Sequence, residues 1–478
     1  MRYEAAFLSP DEQVRVHDES LRILADVGIR VHGDVALPLL AEAGAEVDTD
    51  TRLVRIPRPL VEAALERAPR AITLGARNPA FDYPLPSPVT RFGMDGTAAF
   101  TRDFRTGERR YGTRQDIVDA MRLLQACDLA VMGWPPVAAN DRPVASRPLH
   151  EFTAMLTATS KHGQHELHRR DQAPYLGAIL AALAGGEDRV RERHEASVIY
   201  CPVAPLVHDG EMLDAYLDLG AWDVPVMVMP MPVPGTTGPA AVLGNIALAN
   251  AEALSSFVIF QVAKPGRPMI YSSAVGSMDF RSGNFLAGTP EMGIQSAALT
   301  TMGRFYGLPT TAAGCASDAH DIGPEACIEK LLTMLPPAAA GADIVVGFGE
   351  IDGDQTLVLE QILVDNELAH LVLRLVGGVD GREDAELFDD VAEVGPGGNF
   401  LAMPATRQAA RSGEFYEPSL IGRSPYEAWH ALGRPTMYDR ARTKVTEILA
   451  APMVDPVPEG ILAELDRILA EADRALGE

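Results

Sequence analysis

The densest polar cluster in the chain is SDAHDIGPEACIEK at 317–330. It follows TTAAGCAS, whose small side chains leave open space beside Asp318 and His320. Carboxylates and an imidazole in such a space suit cation binding, metal binding or proton transfer. Glu325 and Glu329 have a plainer role available, as an i,i+4 pair opening a helix with acids at its N-terminus. KHGQHELHRR at 161–170 places His162, His165 and His168 three apart. On a strand, His165 and His168 would point to opposite sides. No HExxH or His-x-His accompanies them, so no metal ligand is assigned. GSMDFRSGNFLAGTPE at 276–291 is too long for a tight turn and carries Asp279, Arg281 and Phe285; it is a candidate lid.

These residues need elements to hold them. Seven short apolar runs recur along the chain: LAVMGWP (129–135), GQHELH (163–168), SVIYCP (197–202), PVMVMP (225–230), PMIYSSA (268–274), TTAAGCAS (310–317) and DIVVGFGE (343–350). FDDVAEVG (388–395) is a weaker eighth. Their starts lie roughly 28–45 residues apart, the length of a strand-helix-loop unit. No Gly-rich dinucleotide turn or P-loop follows any run, so an open doubly wound sheet is second choice. The expected fold class is α/β, a (β/α)₈ TIM barrel. Chemistry in such a barrel sits at the C-terminal strand ends. Those ends present Trp134, His165, His168, Cys201, Met229, Met231, Tyr271, Ser272, Ser273, Asp318, His320, Phe348 and Glu350.

Residues 1–115 mix helical spacing with hairpin signals and form an N-terminal elaboration. Residues 116–478 form the barrel, with an amphipathic C-terminal helix at 456–476. The long helical segment at 233–268 carries Asn245, Asn250 and Glu252 among apolar neighbours. If buried, those three need partners.

Lys and Arg number 41 against 66 Asp and Glu, a net charge of −25. That balance argues against nucleic-acid phosphate and anionic membrane surfaces as partners. Four cysteines with no CxxC make no disulfide framework. The N-terminus lacks the charged-then-apolar order of a signal peptide, and the apolar stretch near 222–234 is interrupted by Asp223 and prolines. The expectation is a cytoplasmic protein with no membrane-spanning segment, and a homo-oligomer.

The order of motifs resembles the trimethylamine methyltransferase family, in its branch without pyrrolysine that includes glycine betaine methyltransferases. The matching segments are 23–48, 52–79, the GTTGP turn with NAEAL (235–254), SMDFRSG (277–283), GTPE (288–291), SDAHDIGPEACIEK (317–330), AGADIVVGFGEID (340–352) and VGPGGNFL (394–401). The resemblance implies a TIM barrel and a corrinoid-dependent methyl transfer. The chain would bind no cofactor itself; a separate corrinoid protein would supply Co(I). The substrate implied is betaine-like, because a quaternary amine leaves without protonation and this chain holds only the twenty ordinary residues. In MPATRQAAR (403–411) the family leads one to expect a His before Thr406, where Ala405 stands.

The residues suit such a substrate. A quaternary ammonium donates no hydrogen bond from nitrogen and is held by aromatic faces and carboxylates. Trp134, Tyr271, Phe285 and Phe348 are the cage candidates. Asp318, Glu350 or Asp279 could supply the anion, and Arg281 could grip a substrate carboxylate. Asp318, His320 and Glu350 are the catalytic candidates. The competing classes are a metal-dependent barrel hydrolase or lyase and a non-catalytic betaine-binding protein.

Overall fold

The computed structural model describes residues 5–379 and 388–477. Eight short strands form its centre: β1 (Arg91–Met94), β2 (Ala130–Gly133), β3 (His162–His165), β4 (Ala196–Tyr200), β5 (Val226–Val228), β6 (Met269–Tyr271), β7 (Thr311–Ala313) and β8 (Ile344–Phe348). Their order is β6-β5-β4-β3-β2-β1-β8-β7, all parallel. A parallel bridge between Tyr271 and Thr310 joins β6 to β7 and closes the ring. The fold is a TIM barrel. Parallel strands are covered on both faces, which is why their sequences are apolar runs. Every residue of β4 and β8 is buried.

Seven of the apolar runs contain a barrel strand. The run at 388–395 does not: it forms the helix Asp389–Val394, with Asp389 and Asp390 in the first turn, where the helix dipole favours acids. The missing strand is β1, inside the segment read as N-terminal elaboration, so the barrel begins before residue 115. Its sequence, RFGM, carries no long apolar run, and the close packing at Gly93 favours a small residue. A Cβ at Gly93 would lie 3.2 Å from Val346 Cγ1 and 3.3 Å from Met132 Cε.

The N-terminal helix Pro10–Arg22 opens with a capping box between Ser9 and Glu12. The strands Ile29–Val31, Glu46–Asp48 and Leu53–Arg55 form a sheet that takes in Val207–His208 from the loop after β4. The elaboration is thus fastened to the barrel by backbone pairing.

Helix Val242–Ala263 is long and apolar enough to cross a membrane, contrary to the expectation that no segment is. It is buried across 89% of its most apolar stretch. Asn250 accepts from Tyr271 Oη at 2.7 Å and donates to Ser20 and Tyr306 at 2.9 Å each, whereas Asn245 Oδ1 and one Glu252 oxygen are buried without a partner among the described residues. The C-terminal helix Glu459–Leu476 buries Leu465, Ile468, Leu469, Ala472 and Leu476.

Candidate active site at the barrel mouth

The loops leaving β1 and β8 meet in a small sheet beyond the C-terminal strand ends, formed by Glu350–Ile351, Thr356–Leu357, Phe100–Arg102 and Arg109–Tyr111. Asp95 directly follows β1, Glu350 opens the first of these strands, and Asp354 sits in the turn after it. Their carboxylate oxygens lie within 4.8 Å of one another.

Glu350 is 1% exposed, and among the described residues its oxygens meet no well-aligned hydrogen-bond donor; the Ala98 N–H acts on it weakly while donating to Pro136 O. Oδ1 of Asp354 is likewise buried and unpartnered. Burial, with Asp95 and Asp354 beside it, pushes the Glu350 carboxyl well above the usual range. Burial raises Asp95 to about 6. Burial and the neighbouring Asp95 raise Asp354 to about 8. An unpaired buried carboxylate is costly, so such a group marks a place built for a cation.

Trp134 follows β2 and is 3% exposed, with its indole Nε1 unpartnered among the described residues. It lies against the Asp95–Gly96 loop: a Cβ at Gly96 would stand 2.5 Å from Nε1. The indole therefore lies against the loop that carries Asp95.

Buried charge holds this arrangement in place. The Lys330 ammonium donates to Cys315 O at 2.7 Å, Gly347 O at 3.1 Å and Asp365 Oδ2 at 2.9 Å. Asp365 Oδ2 also accepts from Gly349 N at 2.8 Å. One ion pair thus pins the ends of β7 and β8 just before Glu350. Gly347 is needed for the same approach, since a Cβ there would fall 1.7 Å from Gly314 O, and its φ is +143°.

Of the other candidates from the sequence, Asp318 stands near enough to Asp354 to help raise its carboxyl, and the rest lie farther from the acids. Tyr271 turns its hydroxyl outward to Asn250, and Phe348 stacks on Phe92 at 5.6 Å, both in the layer between barrel and helices. Asp279, Arg281 and Phe285 belong to the hairpin Ser277–Met278 and Phe285–Leu286. Asp279 accepts from Arg281 N and Ser282 Oγ within its own turn, and Phe285 packs over Gly276 while 46% exposed. Asp318 accepts from the backbone of Ala287 and Gly288 at 2.8 Å each, so it ties the end of that hairpin to the loop after β7. The His320 side chain is 89% exposed and pairs with Asp352. The three histidines do not converge. His162 bonds Gly75 O and Ser197, His165 bonds Glu151 at 2.9 Å, and His168 is exposed. Ala405 lies in the short helix Pro404–Ala409.

Sequence reading missed Asp95 and Asp354. Asp95 follows the strand that was not recognised. The turn IDGDQT gave Asp354 no mark beyond its place four residues after Glu350.

Comparison with known proteins gives the family. Residues 2–477 match the family model "Trimethylamine methyltransferase (MTTB)". The chain is 30% identical over 472 residues to the trimethylamine methyltransferase of Desulfitobacterium hafniense (strain DSM 10664 / DCB-2), covering 99% of this chain and 95% of that one. It is 29% identical over 476 residues to the glycine betaine methyltransferase of Desulfitobacterium hafniense (strain Y51), covering 98% of each. The solved monomethylamine methyltransferase of Methanosarcina barkeri shares the fold, with a TM-score of 0.50 at 14% identity over 92% of this chain and 88% of that one. The chain belongs to the trimethylamine methyltransferase family.

Proposed function

We propose that this chain moves a methyl group from a quaternary amine to Co(I) of a separate corrinoid protein, at the mouth of the barrel. The observation that carries the reading is the buried Glu350 facing Asp95 and Asp354, with no well-aligned donor among the described residues and the Trp134 indole against the loop that carries Asp95. A quaternary ammonium suits that surface because it needs negative charge and an aromatic face but no hydrogen-bond acceptor.

The chemistry asks little proton transfer of the protein. The electron pair of Co(I) forms the bond to the methyl carbon, the C–N pair stays on nitrogen, and a neutral tertiary amine leaves. The chain contributes orientation and exclusion of water. Positive charge on nitrogen fades in the transition state, so three full carboxylate charges would hold the substrate too firmly. Protons kept by the raised carboxyls temper that charge. The exposed Phe280 and Phe285 of the hairpin are surfaces for the corrinoid protein to meet.

The test supplies cob(I)alamin with ¹³C-methyl-labelled quaternary amines and follows the label into methylcobalamin and the demethylated amine. Transfer from at least one of them is expected. No transfer from any of choline, tetramethylammonium, glycine betaine or carnitine would count against the reading.

A second reading rests on the same three carboxylates, which stand close enough to share a metal ion. Oxygen-only ligands would favour magnesium, calcium or manganese. Elemental analysis of the purified protein separates the two: stoichiometric metal, lost together with activity on chelation, would favour a metal-dependent hydrolase or lyase. A non-catalytic binder would be stabilised by ligand yet release no demethylated product.

A further inference from the structure

The charge and facing of the side chains around the mouth discriminate among quaternary amines. Alternate residues of a barrel strand face in and out. Tyr271 reaches out to helix Val242–Ala263, so Ser272 faces the mouth. Gly133 abuts Met121, Leu124 and Met155 of the outer helices, so Trp134 faces in. Gly163 abuts Met155 and Leu156, so Gln164 and then Glu166 face in. Tyr200 packs on Tyr216 and Phe260, so Cys201 faces in. With Asp95 and Glu350 these give a ring of Asp95, Trp134, Glu166, Cys201, Ser272 and Glu350.

Every charged member of that ring is an acid. Arg102 and Arg109 of the small sheet are paired with Asp321 and Asp352, and the cation that acts most on Asp95, Glu350 and Asp354 is Lys330. Its ammonium has three protons, and all three are already taken, by Cys315 O, Gly347 O and Asp365. Arg281, the residue type that could grip a substrate carboxylate, stands on the exposed hairpin. A carboxylate entering this mouth would meet like charge and, among the described residues, cations already paired with acids, and like-charge contact in a dry site is strongly unfavourable. The Ser272 hydroxyl, in contrast, is buried without a partner among the described residues, and suits a neutral polar arm.

We infer that the pocket takes a quaternary ammonium without a carboxylate, choline-like rather than betaine-like. This rests on the methyl-transfer reading for its chemistry and departs from the betaine expected from the sequence. The methyl carbon passes to Co(I), the nitrogen keeps the C–N electron pair, and the amine that leaves is a neutral dimethylamino compound with the rest of the substrate attached.

The experiment measures kcat/KM for methyl transfer to cob(I)alamin from choline, tetramethylammonium, glycine betaine and carnitine, with calorimetric affinities for the same four. The carboxylate-free pair should exceed the carboxylate-bearing pair by about a hundredfold. Glu350→Gln should shrink that ratio at least tenfold, by weakening the first pair and sparing the second. Glycine betaine or carnitine equal to or better than choline and tetramethylammonium would overturn the inference. If no compound is demethylated, the methyl-transfer reading fails, and the affinities still decide selectivity: tighter binding of the carboxylate-free pair upholds it, and tighter binding of the betaines refutes it.

Discussion

Glu350 and Trp134 do different work on one cation. Trp134 offers a face worth about 0.5–2 kcal/mol to an ammonium. Trp134→Ala should therefore raise KM by about 2- to 30-fold with a smaller change in kcat. An unchanged KM would remove Trp134 from the site. The acids add a pH dependence whose sign follows from their raised carboxyls. In the free protein Asp95 titrates at about 6 and Asp354 at about 8, against an ordinary value of 3.8. The folded state therefore holds protons that the unfolded chain gives up, and this pair costs no stability below about pH 4. The cost grows as pH rises through 6 and is complete above 8. A bound cation favours the ionised acids, so its affinity should climb between pH 6 and 8. Thermal shifts given by saturating tetramethylammonium at pH 5.5 and 8.5 check this, with the larger shift expected at pH 8.5. Equal shifts would show that these acids do not hold the cation.

At the scale of elements, the mouth depends on ties between strand ends. Lys330→Met would strand Asp365 in the core and release β7 from β8, costing about 3–5 kcal/mol by urea unfolding. Adding Asp365→Leu should recover much of that loss, because two apolar side chains replace an ion pair better than one lone charge does. Asp318 ties a different element. Asp318→Ala removes both hydrogen bonds to Ala287 and Gly288. It should speed hydrogen exchange across 277–289 and lower kcat/KM about tenfold, through the loosened hairpin. His320→Ala should alter the rate less than threefold, since an exposed ion pair contributes about 0–1 kcal/mol. A large loss from His320→Ala with an intact hairpin would return it to the catalytic set.

The same scale shows what could be read beforehand. Strands β2 to β8 announced themselves because strands covered on both sides need apolar runs. β1 did not, since RFGM carries no long apolar run, with Gly93 packed closely against Val346 and Met132. Glu350 and Trp134 were found because each ends a visible strand. Tyr271 and Phe348 end strands too, but alternation sends Tyr271 to the outer layer and the irregularity between Val346 and Phe348 does the same for Phe348, and composition shows neither. Asp95 was missed together with β1. Asp279 and Arg281 looked functional as polar residues in a Gly-rich loop, whereas the hairpin they form satisfies Asp279 locally.

For the whole molecule, the barrel supplies rigidity and the two loop systems after β1 and β8 supply the acids. The net charge of −25 is consistent with a cationic substrate, yet only a few of its 66 acids face the mouth. Asp95, Glu350 and Asp354 come from two separate stretches of chain that the fold brings near one another. The most direct measurement is kcat/KM of the intact protein and of Glu350→Gln for methyl transfer from a quaternary amine to cob(I)alamin. We expect the wild-type chain to form methylcobalamin and Glu350→Gln to lose at least tenfold in kcat/KM while melting no lower than wild type, because a neutral amide relieves the buried acids. Wild-type efficiency in Glu350→Gln would contradict a cation-binding mouth at this site.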